Sequence, residues 1–229
     1  MATTKLKTVF SVEKAHKTQI KLSERIILKD EVPDRIRFVA GVDVAYAKDI
    51  SIAAIAVLSF NLLRLVESQT AICKTLFPYI PTLLSFREIP PAVQAIRKLH
   101  VQPDVFLVDA HGYAHPYRCG FASHLGLIIK RPTIGVAKSM LIGTLEKSEQ
   151  NKNNVVIRHK GEIIGAEITT KPRQKPVYVS VGNMISLNTA IEIVKQCTLN
   201  SRIPEPIAVA HEIATAAKRK INISANTDK

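Results

Sequence analysis

From Val12 to Leu28 the cationic residues Lys14, Lys17, Lys21 and Arg25 recur at steps of three and four, with Ala15, Ile20, Leu22, Ile26 and Ile27 between them. This period predicts an amphipathic helix with a solvated cationic face, closed off by Pro33. Contact of that face with phosphates is the other reading of the same positions. The pattern then shifts. Residues 36–47, 51–60 and 63–73 are rich in Val, Ile and Ala and are parted only by short polar breaks at Lys48-Asp49 and Asn61. Three strands joined as antiparallel hairpins are expected. A loop stiffened by Pro78 and Pro81 follows, then a brief strand to Phe86 and a helix from about Pro91 to Leu99, with Pro91 in its first turn. Strand 104–109, a loop rich in Gly and His, a helix near 122–129 and strand 133–138 read as a β-loop-α-β unit of the parallel type. A hairpin over 155–170 turning at Lys160-Gly161, a strand at 176–182 and helices at about 187–197 and 205–220 complete the chain.

This order predicts one α/β domain over residues 1–229, with a mixed sheet in which an antiparallel meander is followed by parallel strands, flanked by helices. Linkers, internal repeats and low-complexity segments are not evident in the sequence. Only the polar ends, about 1–8 and 221–229, are expected to be disordered.

Composition changes the picture in one respect. The chain has 229 residues, enough for a sizeable core, and 32 Lys and Arg against 19 Asp and Glu give a net charge of +13. Such a balance favours a polyanionic partner, nucleic acid above a membrane surface, although a generally basic surface is the plainer alternative. Apolar runs are too short to span a bilayer and the N-terminus lacks the core of a signal peptide. Cys73, Cys119 and Cys197 are odd in number and widely spaced. They fit reduced core thiols in a cytoplasmic protein better than a disulfide framework or a zinc ribbon.

Three carboxylates stand against the basic balance. Asp43 interrupts the apolar run Phe38 to Tyr46, Glu88 follows Leu83-Leu84-Ser85-Phe86-Arg87, and Asp109 closes Val105-Phe106-Leu107-Val108. A carboxylate in a buried strand is costly unless a cation or metal compensates it. Taken singly, each reads equally well as a strand-end cap or a satisfied buried polar group. Together they suit a hard divalent cation, since magnesium is commonly held by one or two carboxylates, and phosphodiester hydrolysis needs such an ion. Asp43 and Asp109 are the expected ligands, with Glu88 a ligand or a water-mediated partner.

Three further features add to this. The loop after Asp109 carries His111, Gly112, His115 and Gly120, a common setting for a site in open α/β sheets. Each histidine is equally open to a backbone-bonded loop role, and zinc is disfavoured because closely spaced thiolate ligands are missing. Lys138 follows an apolar strand, where its ammonium either meets a phosphate or one of the acids, or snorkels to solvent. Tyr79-Ile80-Pro81 presents an aromatic and a β-branched side chain on a stiff turn. Apolar wedges of this kind enter a base stack and hold open the gap left by a displaced nucleotide, the alternative being a loop packed on its own core.

Val39-Ala40-Gly41-Val42-Asp43-Val44-Ala45-Tyr46, Pro78-Tyr79-Ile80-Pro81, Leu83-Leu84-Ser85-Phe86-Arg87-Glu88, Ala114-His115-Pro116 with Ala122-Ser123-His124-Leu125-Gly126, and Ile134-Gly135-Val136-Ala137-Lys138 occur in this order. Together, from about residue 10 to 218, they resemble the endonuclease V family, the deoxyinosine 3′-endonucleases. The resemblance implies a ribonuclease H-like fold and Mg²⁺-dependent cleavage, with Mn²⁺ able to substitute, at the second phosphodiester bond 3′ to a deaminated base, chiefly hypoxanthine. The product would carry a 5′-phosphate and a 3′-hydroxyl. By motif position it implies that Asp43, Glu88 and Asp109 are catalytic acids, that His211 helps hold a water at the metal, and that Lys138 lies near the scissile phosphate. Tyr79, Ile80, Pro81, Leu84, Gly112, His115, His124 and Leu141 match positions at the nucleic-acid and base interface. The implied partner is DNA containing deaminated bases, with inosine-containing RNA as a second candidate, bound by a monomer.

The chain departs from the family pattern at three places. Thr82 and Ala110 stand where glycine is frequent, and Asn183 stands where a histidine is more common. The first two add a β-carbon and would reshape the base pocket while leaving backbone donors in place. Two rival readings remain: another ribonuclease H-like nuclease acting on branched structures, and a basic nucleic-acid-binding protein without catalysis. The second gives no reason for three acids in apolar surroundings.

Overall fold

The computed structural model describes residues 11–147 and 155–227. Its elements are α1 (Val12–Ser23), β1 (Phe38–Ala47), β2 (Ile50–Ser59), β3 (Leu65–Lys74), α2 (Leu84–Ile96), β4 (Val105–Val108), α3 (Phe121–Ile129), β5 (Thr133–Ala137), β6 (Thr144–Lys147), β7 (Val155–His159), β8 (Glu162–Ile168), β9 (Val177–Asn183), α4 (Leu187–Gln196) and α5 (Glu205–Thr227). The strands form one mixed sheet in the order β3-β2-β1-β4-β5-β9-β8-β7-β6. The expected meander β1-β2-β3 is antiparallel, and β1, β4 and β5 pair in parallel. From β9 outward the sheet is antiparallel again.

Side chains alternate across the sheet, so the central strands divide their residues between two cores. Val39 of β1 and Val105 and Leu107 of β4 pack with Ile207 and Ala210 of α5 and with α4. Ala40 and Val42 of β1 and Phe106 and Val108 of β4 pack against α2 and α3. Strand β2 is buried from Ile52 to Leu58, which explains its unbroken apolar run. Gly41 permits the closest approach. A β-carbon there would lie 1.8 Å from the carbonyl oxygen of Pro206, so α5 presses directly onto the backbone of β1.

Four expectations need correction. Residues 84–96 form a helix, not a strand followed by a helix, and Pro90 and Pro91 lie inside it rather than in a first turn. Burial of Ser85, Glu88, Ala92 and Ala95 at helical spacing outweighs the two lost amide donors. Glu88 is therefore helical. Helix α1 ends at Ser23, and its buried face is Ala15 and Gln19, whereas Ile20 is exposed. Strand β6 was not anticipated, because Thr144–Lys147 is an exposed edge without alternation. Helix α5 runs to Thr227, so residues 221–227 are helical instead of a disordered end, while residues 1–8 lie outside the described residues. No described helix is long and apolar enough to cross a membrane. All three cysteines are free, with Cys119 and Cys197 buried.

The turn that returns α2 to the sheet depends on one carboxylate. Glu67 of β3 accepts from the amides of His100 and Val101, the latter at 2.8 Å, and from the Gln69 side chain at 2.9 Å. These donors, Gln69 first, hold its carboxyl at about 2, well below the ordinary carboxylate value. A carboxyl depressed on folding contributes stability above its unfolded value, and that contribution fades as pH falls through the folded one. Glu67→Ala should lower stability by about 1 kcal/mol at neutral pH. In parallel denaturant melts, the gap between variant and native chain should close as pH falls from 4.5 towards 2.

Candidate active site

Two of the three acids converge by strand geometry. Asp43 shares the parity of Val39 and Gly41, and Asp109 that of Val105 and Leu107, so both point to the α5 side, Asp43 in the middle of β1 and Asp109 just past β4, where the parallel pairing of the two strands ends. Each side chain is only 12% exposed, and each has found a cationic or imidazole partner. His211 Nδ1 lies 2.8 Å from Asp43 Oδ2, and Lys138 Nζ lies 2.5 Å from Asp109 Oδ2. Lys138 thus reaches one of the acids, the first of its anticipated partners. Burial raises the Asp109 carboxyl above its ordinary value despite the lysine, with the Asp43 charge adding to the effect. One ligand atom from each of Asp43, Asp109 and His211 falls within 4.8 Å of the others. This donor set, dominated by oxygen, fits a hard divalent cation.

Glu88 approaches from the opposite side, on α2. It is 6% exposed and accepts a hydrogen bond from Tyr46 Oη at 2.9 Å, while Arg87 lies 4.1 Å over the Tyr46 ring. Burial, with the Asp43 and Asp109 charges, pushes its carboxyl up to about 8 against the pull of Tyr46. Glu88 stands outside the three-residue cluster but within its electrostatic field.

The acids open into a cavity of ≈ 500 Å³ lined by Asp43, Tyr46, Asp109, Lys138, His211 and the α5 side chains Thr215, Lys218 and Arg219. Sequence reading missed this last group. Its signal is helical spacing from His211, which places a cationic rim over the acids. A second recess of ≈ 160 Å³ lies beside it, walled by Tyr79, Ile80, Pro81, Thr82 and Leu84 on one side and by Ala110, His111, His115, Gly120 and Phe121 on the other, with Leu141 at its mouth. Consecutive residues line the two spaces, Asp109 the cavity and Ala110 the recess.

Residues 20–212 match the Endonuclease V family model. The chain is 46% identical over 227 residues to endonuclease V of Rippkaea orientalis, covering 96% of this chain and 99% of that protein. It is 48% identical over 208 residues to the protein of the same name from Trichormus variabilis, covering 90% and 94%. The chain belongs to the endonuclease V family. Among solved structures, endonuclease V of Streptomyces avermitilis superposes with a TM-score of 0.85 at 35% identity, covering 93% of this chain and 95% of that one. Endonuclease V of Ciona intestinalis, solved in complex with DNA containing an inosine followed by a ribo-adenosine, superposes with a TM-score of 0.82 at 32% identity, covering 93% and 100%. As a member of this family, the chain is a nuclease with the fold that its motifs implied.

The remaining interface positions divide. Tyr79, 69% exposed, stands at the rim with Ile80, Pro81, Leu84 and Leu141 around the recess. His115 lines it too, and burial drives its pKa down to about 4. His124 and Gly112 do not line the recess. His124 Nδ1 meets Ser85 Oγ at 3.1 Å and its ring packs edge-on against Phe86, bracing α2, and burial lowers it likewise to about 4. The Gly112 amide donates to Ser180 Oγ, and a β-carbon there would strike the Val181 carbonyl oxygen at 2.2 Å. Asn183 is also remote. It is buried, and its Oδ1 accepts from the Ile27 amide at 3.0 Å, so it anchors the segment after α1 instead of shaping the recess.

Because the folded Glu88 carboxyl sits near 8 and an unfolded one near 4.5, its contribution to folding is complete below 4.5 and is lost as pH rises through 8. Glu88→Gln is neutral throughout. In metal-free buffer its melting temperature should climb relative to the native chain between pH 4.5 and 8, and a constant difference across that window would contradict this electrostatic account.

Proposed function

We propose that this endonuclease nicks a nucleic-acid strand at the second phosphodiester bond 3′ to a deaminated base, chiefly hypoxanthine, using Mg²⁺ or Mn²⁺. The carrying observation is the adjacency of the two spaces: a base-sized apolar recess and a carboxylate cavity share the Asp109-Ala110 step. A base held in the recess brings its own strand past the acids, and chemistry on a displaced base or near it requires such a pocket. The exposed Tyr79 with Ile80 and Pro81 is the wedge that fills the gap left in the stack. Recognition of inosine-bearing DNA by the Ciona relative supports the same substrate here. RNA containing inosine is the second partner, and the protein acts as a monomer.

Asp43 and Asp109 would hold the cation, with His211 completing the donor set and Glu88 acting through water. A bound divalent cation supplies charge stabilisation at the scissile phosphate and lowers the pKa of the attacking water. The protein's own groups do the rest. Asp43 fixes the His211 ring through Nδ1, leaving Nε2 as the nitrogen that orients a water. Once Asp109 is engaged elsewhere, Lys138 is released to carry its charge to the phosphate. Lys218 and Arg219 extend that positive surface along the strand.

The test is a nicking assay on matched DNA and RNA strands containing inosine, xanthosine, uracil or an abasic site, with Mg²⁺. Inosine strands should be cut one nucleotide beyond the lesion's own 3′ phosphate. Asp43→Asn and Asp109→Asn should each reduce the rate by at least about a hundredfold and abolish Mn²⁺ binding in a calorimetric titration, while binding of an inosine duplex persists. Full activity from either variant would overturn the assignment.

A further inference from the structure

Helix α1 lines neither the cavity nor the recess, yet two of its side chains each touch both walls of the recess. One wall is the Tyr79–Thr82 turn, and the other is the segment leading into Gly120 and Phe121. Gln19 is fully buried and donates from Nε2 to the Thr82 carbonyl at 2.8 Å and to the Cys119 carbonyl at 3.0 Å. The amide has two hydrogens, and one goes to each wall. Three residues earlier on the same helix face, His16 repeats the bridge. Its Nε2 lies 3.0 Å from Thr82 Oγ1 and its ring stacks on Tyr117 at 4.1 Å between centroids.

The point that both residues grip is strained. Thr82 has φ +72°, a left-handed conformation that a β-branched residue rarely adopts. Such backbone persists only where its surroundings over-determine it. Here the surroundings are α1, the Leu83 amide that closes the turn, and the His115 ring, which bonds the Thr82 backbone.

We propose that His16 and Gln19 are positioning residues that clasp the two recess walls, fix the width between them, and thereby set which deaminated base is accepted. The proposal rests on the reading that the recess receives the displaced base. Xanthine carries one more exocyclic oxygen than hypoxanthine, so a recess of fixed width discriminates between them at that edge. A slackened recess loses the distinction. The clasp acts on selectivity more than on the cleavage step, because neither residue touches the carboxylates.

The experiment compares single-turnover nicking of duplexes that differ only in hypoxanthine or xanthine, for the native chain, Gln19→Leu, His16→Ala, Thr82→Gly and the Gln19→Leu/Thr82→Gly pair. Gln19→Leu and His16→Ala should each shrink the hypoxanthine preference by about three- to tenfold, the equivalent of one hydrogen bond. Exchange of the Leu83 amide, which closes the turn onto the Ile80 carbonyl at 3.0 Å, should quicken while β1 amides are unchanged. Since glycine takes positive φ without strain, Thr82→Gly should reduce the effect of Gln19→Leu. His16 is only partly buried, so its variant remains folded should Gln19→Leu unfold. Rates that fall in step on both bases, with the preference intact, would leave α1 a merely structural brace and overturn the clasp alone. Absence of nicking at either base by the native chain would overturn the functional reading and the clasp with it.

Discussion

The molecule is organised around the cost of placing two carboxylates side by side on one face of adjacent buried strands. Largely buried acids so placed need polar or cationic partners, and the neighbouring elements supply them. Strand β5 delivers Lys138, and α5 delivers His211 along with Lys218 and Arg219. Helix α2 adds a third acid, Glu88, whose carboxyl is pushed up to about 8 by burial first and by the charges of the other two second. Lys138 caps Asp109 and the His211 ring caps Asp43, so each carboxylate already has a partner within hydrogen-bond reach.

The period of two along a strand does a second job. It sends Asp109 to the α5 face and Ala110 to the α2–α3 face, so that a single peptide bond separates the carboxylate cavity from the apolar recess. The spacing of cavity and recess is thereby set by backbone geometry just beyond β4, a four-residue strand buried throughout. Loops supply the recess walls, but they do not set that spacing.

Much of this was legible before any coordinates. Strands β1 to β5 follow from apolar runs bounded by polar breaks, and the acids stood out because each interrupted such a run. Glu88 shows where local pattern fails. Leu83 to Phe86 is apolar enough to pass as a strand, and Pro91 suits the first turn of a new helix, yet tertiary burial at 85, 88, 92 and 95 makes one helix through both prolines. Gln19 shows the converse. Nothing in a polar residue among lysines signals full burial, because its reason lies in two carbonyls 63 and 100 residues away. Helical spacing from His211 puts Lys218 and Arg219 on its face, but only the close approach at Gly41 brings that face to the acids. Of the three departures from the family pattern, Thr82 and Ala110 lie at the recess and Asn183 does not, a distinction that only the fold could draw.

The order in which the chain supplies its parts has a consequence for synthesis. Asp43, Glu88, Asp109 and Lys138 all precede residue 140, whereas His211 and the helix that carries it come last. Until α5 docks, the Val39–Leu107 face of the sheet lacks its cover and Asp43 lacks its partner. Synthesis therefore lays down these acids well before the helix that joins them. Docking of α5 onto β1 is the step that brings His211 to Asp43 and closes the Asp43-Asp109-His211 cluster.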